Sequence, residues 1–195
     1  RSIEGINNEE LYHELQLYSL HGQSKDALSK NRAGAWEYDV MYPAYKCNMT
    51  NINAAIGIAQ LDRYDGLLKR RRELNENYRN ALEKLGLKVM HHYTDEMTST
   101  GHLYLVRIPG ASVEDRNAVI QDMAERGIAC NVHYKPLPMM TAYKNLGFDI
   151  KDYPNAYHQY ENLISLPVFS TMTDEQNAYV IENFAYILKK RGLIK

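Results

Sequence analysis

His133-Tyr134-Lys135, followed by Pro136-Leu137-Pro138, sets an imidazole, a phenol and an ammonium in three consecutive positions. At the end of a strand such a triplet reaches a cleft, where it can bind an anion or hydroxyl groups. A structural histidine with a satisfied partner is an equal reading, because the triplet alone is not a motif. His91-His92 has no carboxylate or third ligand at a metal-site spacing and reads as a strand end. Lys69-Arg70-Arg71-Arg72 could touch phosphate, but its surroundings include Asp62, Asp65, Glu73 and Glu76. That mixture reads as a solvated helix face. No Gly-rich phosphate loop of the Walker or dinucleotide type is present. Cys47 and Cys130 make neither a disulfide framework nor a zinc site and read as reduced thiols of a cytoplasmic protein.

The elements that must position these groups follow from periodicity. Leu11, Leu15 and Tyr18 predict a short helix over 8–20. Residues 21–48 hold Gly34, Trp36, Tyr38, Tyr42, Pro43 and Tyr45, too polar and too broken for a helix. A loop of that length and aromatic content is expected to pack on another domain or subunit. Thr50 can cap a long helix reaching Gly86, whose first part, Ala54 to Ala59, is rich in small residues. Beyond Gly86, strands are expected at 87–92, 102–108 and 128–134, while 164–167 is too short to assign. Ser112 with Asp115, and Thr173 with Gln176, are capping boxes for two further helices ending near Gly127 and Gly192. The sum is an α+β domain on a long helix.

Bulk properties narrow the partners. The 195 residues are 45% hydrophobic and 24% charged with net charge −1, an ordinary globular balance. No basic field exists to hold nucleic acid or an anionic membrane, and no apolar stretch approaches the ~20 residues of a membrane helix. The charged start, Arg1-Ser2-Ile3-Glu4, does not resemble a signal peptide. Sixteen tyrosines against three phenylalanines suggest surfaces buried against polar ligands or another subunit.

Three runs carry a resemblance: His21-Gly22-Gln23-Ser24-Lys25-Asp26-Ala27, the stretch from Tyr45-Lys46-Cys47-Asn48-Met49-Thr50 through Gly57, and Val132 to Pro138. Ile164-Ser165-Leu166-Pro167 and Met172 to Gln176 follow in order. Together they resemble the nucleotide-sugar aminotransferases of the DegT–DnrJ–StrS type, over nearly the whole chain. The resemblance implies the small C-terminal domain of the fold-type I transferase fold. Residues 1–48 would then be a remnant of the large domain with an interface loop, 49–85 a linking helix, and 86–195 the small domain. It further implies a cytoplasmic homodimer using pyridoxal 5'-phosphate (PLP), with glutamate or glutamine as amine donor and a keto nucleotide sugar as acceptor, in surface-polysaccharide synthesis.

The same resemblance implies roles for particular residues. The lysine that binds PLP belongs to the large domain upstream, and no lysine here has its context, so no catalytic residue is expected and the fragment alone would be inactive. Lys46 and Asn48 match the loop that reaches the neighbouring subunit's PLP phosphate, standing where Asn and Arg are usual. Ala44 replaces the usual Gly and Asn51 the usual Asp. His21, Tyr45, His133, Tyr134 and Lys135 are expected on the substrate side. Pro138 stands where many members have His, so substrate identity does not carry over. A sugar dehydratase of the same fold, or a non-catalytic partner module, is the alternative.

Overall fold

A computed structural model of the chain describes residues 8–24, 39–47 and 49–195. It divides into two compact units, residues 1–62 and 63–195.

In the first unit, α1 (Glu9–Ser19) starts where the Asn8 side chain accepts from the Leu11 amide. The chain after it forms two isolated bridges, Leu20 with Lys46 and Gln23 with Val40. Gly22 sits between them at φ +71°, and a Cβ there would lie 2.1 Å from the Tyr42 carbonyl oxygen. Only glycine meets both demands. Within 21–48, residues 25–38, including Trp36, and Asn48 lie outside the described residues, as does most of the expected packing surface. α2 (Asn51–Asp62) follows, with the Asn53 amide donating to Thr50 Oγ1 as the cap expectation required.

The second unit begins with α3 (Tyr64–Leu82). The single helix expected over 49–85 is therefore two, interrupted at Arg63. The break is in the backbone: Arg63 sits at φ −100° and ψ −4°, and its carbonyl accepts from the Leu67 amide as the new helix starts. α3 buries the stripe Leu74, Asn75, Tyr78 and Leu82. α3 closes through a short 3-10 turn at Glu83–Leu85 and left-handed Gly86.

A three-stranded antiparallel sheet follows, in the order β1 (Lys88–Val89), β2 (Tyr104–Arg107), β3 (Leu163–Leu166). Two expected strands are present but shorter. The third is not 128–134 but 163–166, which the sequence left unassigned. The stretch 128–134 contributes one bridge, Asn131 with Ser165. Asn131 Oδ1 accepts from the Val132 amide at 2.7 Å, a local bond that competes with a continuing ladder.

Helices α4 (Val113–Glu125) and α7 (Asp174–Lys190) carry both expected capping boxes, closed by Ser112 with Asp115 and Thr173 with Gln176. α4 packs on β3, α3 on β1, and α7 on α3 and α4. Tyr104 and Val106 of β2 and Ile164 and Leu166 of β3 enter this core beside Leu74, Tyr78, Met123, Phe184 and Ile187. The basic run is engaged rather than merely solvated. Arg70 donates to the Met172 carbonyl and pairs with Asp174, and Arg72 lies 4.3 Å from the Tyr93 ring centroid. α5 (Thr141–Asn145) and α6 (Pro154–Tyr160) lie between α4 and β3 in sequence. No helix among the described residues is long and apolar enough to cross a membrane.

Candidate functional site

Strand alternation builds the site. Register pairs Tyr104 with Leu166 and Val106 with Ile164 on the core face, leaving Leu105 opposite Ser165 and Arg107 opposite Leu163 on the other. On β1, Lys88 pairs with Arg107 and shares that second face. This face borders an open cavity of 430 Å³, with His133, Tyr134, Gln159 and Tyr160 among its other walls.

Two arginines hold α6 beside the cavity. Arg107 donates through Nη2 to the His158 carbonyl and through Nε to Asn162 Oδ1, both at 2.9 Å. Arg116, 1% exposed, donates to the Tyr160 and Leu163 carbonyls at 3.3 Å. Both meet carbonyls in the last turn of α6 or just beyond it, where a positive charge is favoured.

His133 is a polar group of the wall with a fixed side-chain partner. Its Nδ1 lies 2.8 Å from Ser165 Oγ, and Ser165 is 4% exposed. The Ser165 backbone exchanges both of its bonds with Asn131, at 2.7 and 3.1 Å, so the hydroxyl has a rigid base. With Nδ1 engaged, the Nε2 edge is left to face a ligand. Tyr134 meets the His133 ring edge-on at 4.7 Å between centroids, is 72% exposed, and follows a cis peptide bond. Among the described residues no carboxylate lines the cavity. The nearest acid in sequence to its walls, Glu161, is paired with His158 at 2.7 Å.

The expected site residues fall in two sets. His133 and Tyr134 line the cavity, while Lys135 is exposed and is not among its walls. His21, Tyr45 and Lys46 belong to the first unit, where the His21 amide donates to the Tyr45 carbonyl at 2.8 Å. Lys46 is exposed, bridges to Leu20 through its backbone, and has no side-chain partner among the described residues. Asn48 lies outside them. Sequence reasoning missed Ser165, Lys88, Arg107 and Gln159. The polar phase of the 102–108 alternation, with Arg107 among apolar neighbours, was the available signal for one of them.

An unpaired ammonium on an extended segment fits one end of a phosphate group. Lys46 thus suits the edge of a PLP site but does not enclose one by itself. Cys130 is not a reactive group, because burial pushes its thiol up to about 12. No cluster of three metal-ligating side chains exists among the described residues.

Comparison with known proteins gives a consistent result. The model of the DegT/DnrJ/EryC1/StrS aminotransferase family matches residues 5–185. The spore coat polysaccharide biosynthesis protein SpsC of Bacillus subtilis is 32% identical over 189 residues, covering 94% of this chain and 48% of its own. Among solved structures, "Putative sugar aminotransferase Spr1654 from Streptococcus pneumoniae, PMP-form" is 51% identical with a TM-score of 0.85, covering 95% of this chain and 46% of that one. Its PLP-form is 48% identical with a TM-score of 0.83, covering 95% and 45%. The chain therefore spans about half the length of the relatives it matches.

Proposed function

The chain belongs to the DegT/DnrJ/EryC1/StrS aminotransferase family, and from that premise we propose that it is the C-terminal part of a PLP-dependent sugar aminotransferase. The whole protein would act as a cytoplasmic homodimer, moving an amino group from glutamate or glutamine to a keto nucleotide sugar for surface-polysaccharide synthesis. The carrying observation is His133, anchored by buried Ser165 at the wall of an open cavity. A polar edge held in one orientation suits recognition of a hydroxyl-rich ligand.

PLP, when bound, supplies an electron sink for chemistry at the amine-bearing carbon. The chain's own residues bind and orient. Lys46 would contact the cofactor phosphate across the subunit interface, and His133 and Tyr134 would orient the sugar substrate. The fragment alone is expected to be inactive, with the PLP-binding lysine in the other half of the protein.

The test uses the protein extended to the length of its relatives. It should aminate a keto nucleotide sugar with glutamate or glutamine as donor, and failure with a panel of such acceptors would reject the reading. In that protein Lys46→Ala should weaken PLP retention by about one to two decades, from the loss of one charge-assisted contact of roughly 1.5–3 kcal/mol. Equilibrium dialysis of the cofactor measures this. Unchanged retention would place Lys46 outside the site.

A further inference from the structure

Between β1 and β2 the chain makes an excursion over residues 91–102. It is tied to itself by the Tyr93–Thr98 bridge and by the Ser99 amide, which donates to the His92 carbonyl at 2.8 Å. Within it only His92 and Gly101 are buried. A glycine offers no side chain, so the His92 imidazole, 4% exposed, is the one side chain that anchors the excursion in the interior. The other attachments to α3 are marginal. Asn75 Nδ2 reaches the Gly101 carbonyl at 3.3 Å and Arg71 the His102 carbonyl at 3.4 Å, both longer than the usual range.

The anchor is polar and suits a neutral ring. Ser99 Oγ accepts from the Gly101 amide at 3.1 Å, so its own hydrogen is free to point at His92 Nδ1, also 3.1 Å away. A protonated ring carries two N–H groups and no acceptor, and forces that hydrogen to turn away. No counter-charge is at hand. The ring lies against Tyr104 of β2 and beside Tyr93, 5.7 and 6.1 Å between centroids. Glu76 of α3 bears on it but already accepts two bonds from Arg79, at 2.6 and 3.1 Å. Arg72 of α3 lies over the Tyr93 ring, and His91 is paired with Glu83 at 3.2 Å. His92 Nε2, Asn75 Oδ1 and Tyr104 Oη are buried without partners among the described residues. The seam where the excursion meets α3 and β2 is therefore a half-satisfied polar network, which holds weakly.

The excursion runs on directly from an edge strand. β1 pairs with β2 at Lys88 with Arg107 and Val89 with Val106, and the Met90 amide adds a bond to the Leu105 carbonyl at 3.3 Å. Lys88, Val89 and Met90 all line the 430 Å³ cavity.

We propose that residues 91–102 are a pH-sensitive strap: protonation of His92 releases them from α3 and loosens the edge strand that walls the cavity. The proposal goes beyond the enzyme reading and does not depend on what the cavity binds. Burial lowers the His92 pKa from 6.5, with Glu76 opposing in part. The released strap thus takes the proton more readily than the latched one. The latch is at full strength above 6.5 and is lost as pH falls toward the folded value.

Amide hydrogen exchange of the 195-residue chain, corrected for the intrinsic pH dependence of exchange, tests this. Between about pH 7.5 and about pH 5.5 the Ser99 and Gly101 amides should lose protection several-fold relative to the Phe184 and Ile187 amides of α7. About ten-fold is the ceiling for one group at one pH unit below 6.5. The Met90 amide should follow the strap. In His92→Gln, which keeps a polar side chain without a titrating nitrogen, this pH dependence should vanish, while His91→Gln should behave as wild type. If His92→Gln does not fold, the wild type decides. The midpoint of the strap's loss must then coincide with the titration of the His92 ring nitrogens, and not with that of His91 or His102. Strap protection that stays constant, falls equally in His92→Gln, or falls only together with α7 would each overturn the latch. A Met90 amide that stays protected would overturn the link to the cavity wall.

Discussion

The contact between Ser165 Oγ and His133 Nδ1, 2.8 Å long and backed by a buried strand, decides which edge of the imidazole is presented. Ser165→Ala should cost about 1 kcal/mol of stability. It should also release the ring, giving mixed tautomers in the nitrogen resonances of His133; an unchanged tautomer pattern would show that Ser165 does not orient it. A second histidine bears on pH. His92 is 4% exposed, its Nδ1 lies 3.1 Å from Ser99 Oγ, and its Nε2 has no partner in the described protein. Burial lowers its pKa from the ordinary 6.5, with Glu76 opposing in part. The unfolded chain therefore binds a proton more readily than the folded one, and its contribution to stability is present above 6.5. It is lost as pH falls through the folded value. The urea midpoint should drop between about pH 7 and about pH 5, and less steeply in His92→Gln. Identical slopes would assign the effect to other groups.

Helices and strands were legible to different degrees. Both capping boxes were readable because the signal is local: a hydroxyl and an acid or amide three residues on, before an apolar stripe. Thr173→Ala removes the bond from the Gln176 amide and should cost about 1 kcal/mol in chemical denaturation. A change below a few tenths would show the cap to be dispensable. The sheet was harder to read. Ile128, Cys130 and Val132 alternate as a strand should, yet Asn131 turns its side chain onto the next amide. The short run at 163–166 becomes the third strand, because β2 supplies it with four paired positions. A strand exists only with a neighbour, and the neighbour here is more than fifty residues away.

At the level of the molecule, the apolar surface of α2 dominates expectation. Ile52, Ile56, Ile58 and Leu61 are between 48% and 74% exposed, and Met49 just before them is 65% exposed. Contiguous apolar surface of this kind tends to find a partner. The isolated chain should therefore elute from size-exclusion chromatography as a concentration-dependent oligomer, and Ile56→Glu with Ile58→Glu should return it toward monomer. A strictly monomeric wild-type chain would contradict this reading.

By themselves the residues determined the family, through runs such as Tyr45 to Gly57 and Val132 to Pro138, and the places where helices begin. Those are properties of neighbours along the chain, set by side-chain type and backbone preference. Tertiary structure alone decided that Ser165 grips His133, that Lys88 stands opposite Arg107, and that α6 is clamped beside both. Each of those pairings joins residues separated by 19 to 51 positions, from 88 to 107 and from 107 to 158. Strand register brings Lys88 and Arg107 together, and register depends on which side chains the core accepts rather than on any local pattern.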